Sequence, residues 1–529
     1  MKKQLLSAAV AAVSLAGVSQ GVFAHAPNVT PDIEIFMSGA SAQDKALQAL
    51  FVNLCDAGTL DIFKDNNKAG SEGKDHHALF CTLSSANVPN LSISGTPVTS
   101  AKVLFHKRSA GGSAQGVNPL IDNVAIAAMR IDNGNCTQQG ATNTWFCNAT
   151  GANLTNVVSD AGISDVEPKL FIGPNKPSNA SEVDPAAADA ALNIVPAAAL
   201  VFGVPVSDNL YVALQKAQRL LVADGGSCAV GDYSEACMPN LTKQQVAELI
   251  SGQIKKWSEF KVDHDNNPAT AAVALNAIPG LSTLTYTDAD GAVRNVLGND
   301  VKVHFCKRID GSGTGAQQYA KFLNNPCSSA GLDPDWAGST LAGPVKHEVS
   351  GSGDMELCLE DFADGETNAK QITSTNPDVF STAVNTANNR GWAIGQQSLE
   401  NNATHGKHYR FIKVDGAAPT LEQAFRGKYM DWVEQTYQWR KNISQDKITI
   451  ISKIATDAGS PSILANELNT GFVHPFGQSG YLAIGKNNTF TETLNVNAPV
   501  MPYSHAVKGS LSNCQVPVIP QSNNTAKPM

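Results

Sequence analysis

The chain has no C-x-x-C pair, no G-x-S-x-G segment and, beyond residue 24, no apolar run long enough to cross a bilayer. The first absence argues against a zinc site built on closely spaced cysteines. The second removes the nucleophile elbow of the α/β-hydrolase type. The third leaves no expected membrane span. Charged residues are scarce, at 16%, and acidic in balance, with a formal net charge of −9. No broad basic field exists, which excludes nucleic acid as a partner. A small anion is not excluded, because a local ring of donors outweighs screened distant charge.

What is present begins with Met1-Lys2-Lys3, an apolar stretch from Leu5 to Val18, and Val22-Phe23-Ala24. This reads as a secretory signal peptide over residues 1–24, with cleavage after Ala24. Cleavage after Ala26 would leave Pro27 at the new terminus and is less favourable. No cysteine lies at the cleavage site, so the expectation is an unanchored exported protein, periplasmic or secreted. The ten cysteines then read as disulfide partners in an oxidising compartment. Cys136 with Cys147 and Cys228 with Cys237 close short loops, and Cys55 with Cys81 staples a longer one. Cys306, Cys327, Cys358 and Cys514 remain, with their pairing open.

The length, 529 residues, fits two or three domains. Short β-rich runs alternate with helical ones. Ile33 to Met37, Lys102 to His106, Leu200 to Val206 and Val301 to Phe305 read as strands. Ala42 to Asn53, a stretch near Val117, Asp208 to Val222, a segment capped by Thr242, and Ala316 to Phe322 read as helices. That alternation predicts an α/β protein, whose ligands bind where loops converge at the carboxyl ends of strands. Residues 56–100, 130–158 and 262–299 are long, polar stretches expected to be surface insertions, with a hairpin around Asp288-Ala289-Asp290-Gly291. The tail from Pro520 is expected to be loose.

The most telling segment is Arg308-Ile309-Asp310-Gly311-Ser312-Gly313-Thr314, between a strand and a helix. Glycines there let backbone N–H groups turn toward one point, and the helix start favours negative charge. Arg308 adds a fork suited to phosphate-like oxygens, and Ser312 and Thr314 add hydroxyls. The plain alternative is a polar loop with an ordinary helix cap. Four other segments invite comparison: Met37 to Ala42, Lys107 to Gly112, Ala161 to Pro168, and Gly351-Ser352-Gly353-Asp354.

Taken in order, these segments resemble the phosphate-binding periplasmic proteins of ABC-type uptake, within the type II periplasmic-binding-protein superfamily. Ser38-Gly39-Ala40-Ser41 resembles the family's first loop, Arg108 to Gly112 its G-S-S-G-G loop, and Gly162 to Asp165 its G-A-S-D segment. Ile250 to Trp257, Arg308 to Thr314, Gly391 to Gly395, Val414 to Thr420 and Gly427-Lys428-Tyr429 resemble later signals. The resemblance implies a two-lobed clamp with long disulfide-stapled insertions: residues 25–200 in lobe 1, 201–395 in lobe 2, and 396–529 returning to lobe 1. It implies chain crossings near Pro196 to Val206 and Asn389 to Asn402. It implies a phosphate or related oxyanion held by Ser41, the Ala42 backbone, Ser109, Asp165, Arg308, Ser312, Gly313 and Thr314, with Asp310 orienting Arg308. It further implies delivery to an ABC permease by a monomer, no catalysis, and no cofactor or metal.

Asp165 is the informative member, because an ionised carboxylate only accepts hydrogen bonds. It calls for a proton on the ligand, which phosphate carries and sulfate does not. The chain departs from the family in its length, in Arg308's counterpart loop having Arg108 where a glycine is usual, and in Ala42 standing for a bulkier aromatic. Other readings are a phosphate-ester hydrolase and a binding fold reused for extracellular adhesion or assembly. His76-His77 and His405-x-x-His408 read as surface histidines, and Pro268 breaks the calcium-loop pattern of Asp263 to Asn267.

Overall fold

The computed structural model describes residues 25–519 apart from 67–71, 266, 333, 335–343, 373–379, 486–487, 490 and 507–510. The expected leader and the tail from Pro520 lie outside the described residues. None of the described helices is long and apolar enough to cross a membrane.

The chain is α/β, with two sheet portions sharing one strand. β1 (Ile33–Gly39) buries Ile33, Ile35 and Met37 and exposes Glu34, the alternation that makes it a strand. It leads to α1 (Asp44–Val52), then β2 (Asp61–Asp65), β3 (His76–Ser84) and β4 (Ser100–Arg108). β5 (Thr144–Cys147) and β6 (Ala161–Ser164) follow, and then the 16-residue β7 (Leu192–Ser207). α2 (Asp208–Ala217) and α3 (Lys243–Ile250) come next, with Thr242 and Gln245 forming a capping box at α3. β8 (Val303–Arg308), α4 (Gly313–Gln318), β9 (Val345–Val349) and α5 (Ser352–Asp364) carry the second half of the site. β10 (Trp392–Ile394), β11 (Tyr409–Val414), β12 (Trp432–Arg440), α6 (Gln445–Asp457) and β13 (Tyr481–Ile484) complete the frame.

In the first lobe the pairing runs β5, β2, β3, β4, β1, β6, β12, β7, with β1 parallel to both β4 and β6. In the second it runs β11, β7, β10, β8, β9, with β8 parallel to both β10 and β9. β7 serves both. Leu192 to Val201 pair with β12, and Val204 to Ser207 pair with β11. The register shifts between Pro196 and Ala199, where proline offers no ladder N–H. Gln397 and Ser398 still pair with β7 at Gly203 and Phe202, and the chain rejoins the first lobe's ladder at β12.

All ten cysteines are bridged. The three expected pairs form, Cys55–Cys81, Cys136–Cys147 and Cys228–Cys237, and the open four resolve as Cys306–Cys358 and Cys327–Cys514. The hairpin at Asp288 to Gly291 forms between Thr285–Thr287 and Val293–Asn295.

Two expectations need correction. The 56–100 stretch is not merely a surface insertion, because β2 and β3 extend the main sheet. Phe63, Phe80, Leu104 and Met129 build a second small core behind them. The short run Ala78-Leu79-Phe80-Cys81 carries that burial, while its polar flanks dilute the pattern. Accordingly His76 and His77 are buried, at 3% and 6% exposure, and His408 is buried too. Burial pushes His77 down to about 4, against the charge of Asp44.

Candidate functional site

Five strands, parallel within each lobe, aim their carboxyl ends at one place. β1, β4 and β6 do so from the first lobe, and β8 and β9 from the second. Their following loops therefore meet, as expected for an open α/β sheet. The first-lobe loops need close approach. Gly39 has φ +119, and a Cβ there would stand 2.1 Å from the Ile163 carbonyl oxygen.

Arg308 ends β8 and is among the largest fully buried side chains. Its backbone N–H donates to Gln396 Oε1 at 2.8 Å, its Nε to the Ser350 carbonyl at 2.9 Å, and its Nη2 to Ser41 Oγ at 3.1 Å. Its Nη1 has no hydrogen-bond partner among the described residues. Burial disfavours the charged guanidinium, and Asp165, Asp354, Asp44 and Asp75 oppose that. Ser41 is the hub from the first lobe. Its Oγ also accepts from the Ser352 N–H at 3.3 Å and lies 3.1 Å from Ser352 Oγ. Ser352 opens α5, a 13-residue helix whose first N–H groups have no intrahelical acceptor.

Asp165 follows β6 and is fully buried. Its Oδ1 accepts from Gln43 Nε2 at 2.9 Å and its Oδ2 from Thr314 Oγ1 at 3.1 Å. Burial raises its pKa, while the Gln43 hydrogen bond, the Arg308 charge and the Thr314 hydroxyl hold it down. Ser312 caps α4 by accepting from the Gly315 N–H at 3.3 Å. Gly313 sits so close to the opposite lobe that a Cβ would stand 2.3 Å from Ser113 Oγ. The Ala42 side chain is buried at the entry to α1.

Ser109 lies at the same junction but is already engaged. Its Oγ donates to Asp44 Oδ1 at 2.8 Å and accepts from Lys107 Nζ at 2.6 Å. Lys107 is buried and reaches the carbonyls of Gly39 and Ala40 at 3.3 and 3.0 Å, tying the β1 and β4 loops together.

Asp310 does not orient Arg308. Its carboxylate pairs with Lys307 Nζ, which also meets Glu348 at 3.1 Å. On a strand, neighbours point to opposite faces, so Lys307 turns away from Arg308 and takes Asp310 with it. Gln396 and the Ser350 carbonyl hold Arg308 instead. Sequence reasoning also passed over Gln43, Lys107 and Asp44. Lys107 lay within a segment already singled out, and Gln43 and Asp44 stood just past another. Ser352 lay in a segment singled out for comparison but not among the expected ligand groups.

The two lobes touch directly here. Ala114 N donates to the Gly311 carbonyl at 2.8 Å, and Gly111 N to Ser350 Oγ at 3.3 Å. Around a buried guanidinium the junction thus gathers hydroxyls and helix-start amides, with Asp165 as the carboxylate between the lobes. Such a set can hold a compact oxyanion that also carries a proton.

No family model matches the chain, and no curated protein sequence matches it. Three solved structures are similar at low identity. One is a phosphate ABC transporter substrate-binding protein with bound phosphate from Clostridium perfringens, with 13% identity, 84% of this chain and 99% of that chain covered, and TM-score 0.38. Another is PstS from Borrelia burgdorferi, with 10% identity, 82% and 95% covered, and TM-score 0.30. The third is an ABC-type phosphate transport receptor from Vibrio cholerae, with 12% identity, 80% and 93% covered, and TM-score 0.32.

Proposed function

We propose that the protein is an exported solute-binding protein that captures inorganic phosphate, or a closely related oxyanion, between its lobes. The observation that carries this reading is Arg308, a buried guanidinium whose Nη1 has no partner among the described residues, at the point where five strand ends converge. A buried donor left without an acceptor is costly, and an oxyanion answers it with charge-assisted hydrogen bonds. Ser41, Ser352, Ser312 and the first amides of α4 and α5 complete the donor set. Asp165 supplies the acceptor that favours hydrogen phosphate over sulfate.

In this reading β7 and the 389–402 segment form the hinge, and the cleft opens to exchange ligand. Delivery to an ABC permease, and residence in the periplasm or outside the cell, belong to the same proposal. Ser109 is a support for the β1 and β4 loops rather than a principal ligand group, because its hydroxyl proton already goes to Asp44.

Calorimetric titration of anion-stripped, oxidised protein with phosphate and with sulfate tests it. Phosphate binding with sulfate rejected, and a loss of at least about a hundredfold in Arg308→Ala, is expected from two or more charge-assisted hydrogen bonds. Binding of neither anion by well-folded protein would overturn the reading.

A further inference from the structure

α4 continues past Gln318 as a wider turn, Tyr319–Leu323. That turn carries its side chains away from the oxyanion junction and toward a separate cavity of about 240 Å³. Three stretches wall the cavity: Ala320 to Phe322, Lys428 to Asp431, and Asn513 to Pro517, with Lys243 and Asp415 at its side. The last stretch is pinned by the Cys327–Cys514 bridge, so the wall is covalently fixed.

The polar groups on this wall are unevenly satisfied. Lys321 Nζ lies 2.9 Å from His505 Nε2 and 5.6 Å from the centre of the Trp432 ring. His505 Nδ1 meets Glu434 Oε2 at 2.5 Å, so the imidazole holds its proton there and Nε2 accepts from the ammonium. Lys321 therefore has three donors and one protein acceptor. Burial draws it down to about 8, with Glu434 and Asp431 opposing. Among the described residues, Lys321, Lys243 and Lys428 make no ion pair with a carboxylate.

The two carboxylates on the wall are occupied. Asp431 Oδ1 accepts from Gln317 Nε2, and Asp415 Oδ1 accepts from the Lys243 N–H at 2.9 Å. Phe322, Met430, Val516 and Pro517 give the lining an apolar part, beside the neutral amides of Asn513 and Gln515. Lys321, with two donors beyond its contact to His505, beside hydrogen-bonded carboxylates and an apolar patch, calls for an anionic head on a hydrophobic body. The volume is below that of a drug-sized pocket.

We propose that this cavity is a second ligand site, taking a small organic carboxylate whose head meets Lys321 and whose short apolar body lies against Phe322 and Val516. It is independent of the oxyanion reading, since none of the groups argued for the two sites is shared.

Ligand-observed NMR on the full oxidised protein, with hexanoate, hexanol and hexylammonium as probes, tests this. Hexanoate is expected to bind. Hexanol and hexylammonium are expected to bind at least tenfold more weakly. Lys321→Met should weaken hexanoate at least tenfold, and Val516→Trp, at a residue 79% exposed, should block the cavity without disturbing the fold. Phosphate titration of both variants serves as the check on the other site and should be unchanged. Absence of hexanoate binding, equal binding of the three probes, or binding that survives both substitutions would overturn the proposal.

Discussion

Thr314 Oγ1 donates to Asp165 Oδ2 at 3.1 Å across the meeting of the two lobes. The same carboxylate takes Gln43 on its other oxygen. Each oxygen keeps a lone pair, and both are acceptors while the group is ionised. Asp165→Asn turns one of them into a donor at nearly constant size. Phosphate affinity should fall, sulfate should be tolerated, and the phosphate-to-sulfate preference should shrink by at least about tenfold, worth ~1.4 kcal/mol or more. Paired titrations of the two anions measure it, and an unchanged preference would remove Asp165 from the recognition argument.

Gly112 has φ +74, and a Cβ on it would stand 2.8 Å from Ser312 Cα in the opposite lobe. A side chain there is strained and also wedges the lobes apart. Gly112→Val should cost about 1–2 kcal/mol of stability from the backbone alone. It should also weaken ligand at least tenfold and enlarge the radius seen by small-angle scattering in the presence of phosphate. A compact scattering profile with full affinity would show that the loop yields without opening the cleft.

Cys306 lies on β8 two residues before Arg308, and Cys358 lies on α5 six residues after Ser352. Their bridge fastens the strand that presents the guanidinium to the helix whose first turn presents the Ser352 hydroxyl. Replacing both by alanine should lower stability by about 4 kcal/mol from loop entropy over 52 residues. Urea denaturation reads that loss. A smaller fall in phosphate affinity is expected alongside it, from a less well-held pair of loops.

Burial works against a charged His408, yet its hydrogen bond to Asp364 and the charges of Asp364, Asp208 and Asp288 outweigh this and raise it to about 9. A raised histidine stabilises the folded state fully below its unfolded value near 6.5. That contribution disappears as pH climbs through about 9. Wild-type protein should lose about 2 kcal/mol between pH 6.5 and 9.5 from this group, and His408→Phe should be less stable at pH 6.5 while lacking that decline. Thermal melts across the range decide it.

Most of the frame was legible because its signals are local. Alternation marked Ile33 to Met37, the Thr242 cap marked the start of α3, and local spacing marked three disulfides. The converging loops were legible as motifs, and Arg308, Ser41, Asp165 and Thr314 do meet. What escaped were relations set by which face a strand presents. Asp310 is two residues from Arg308 in sequence but follows Lys307 to the other side of the sheet. His76, His77 and His408 look solvent-facing among polar neighbours and are buried by strands that arrive from elsewhere in the chain. Cys327 and Cys514, 187 residues apart, leave no local trace of each other.

That last bridge has a mechanical meaning. Asn513 exchanges two hydrogen bonds with Glu167, at 2.9 and 3.0 Å, which holds the C-terminal segment to the first lobe. The neighbouring Cys514 is bonded to Cys327, just beyond the helical turn that packs in the second. The C-terminal segment thus straps the first lobe to the second, a covalent tie additional to the crossing strands. In the proposed opening motion the length of that strap would set an upper limit to the aperture, and replacing Cys327 and Cys514 alone, with Cys306–Cys358 kept, would widen the gape without touching the site.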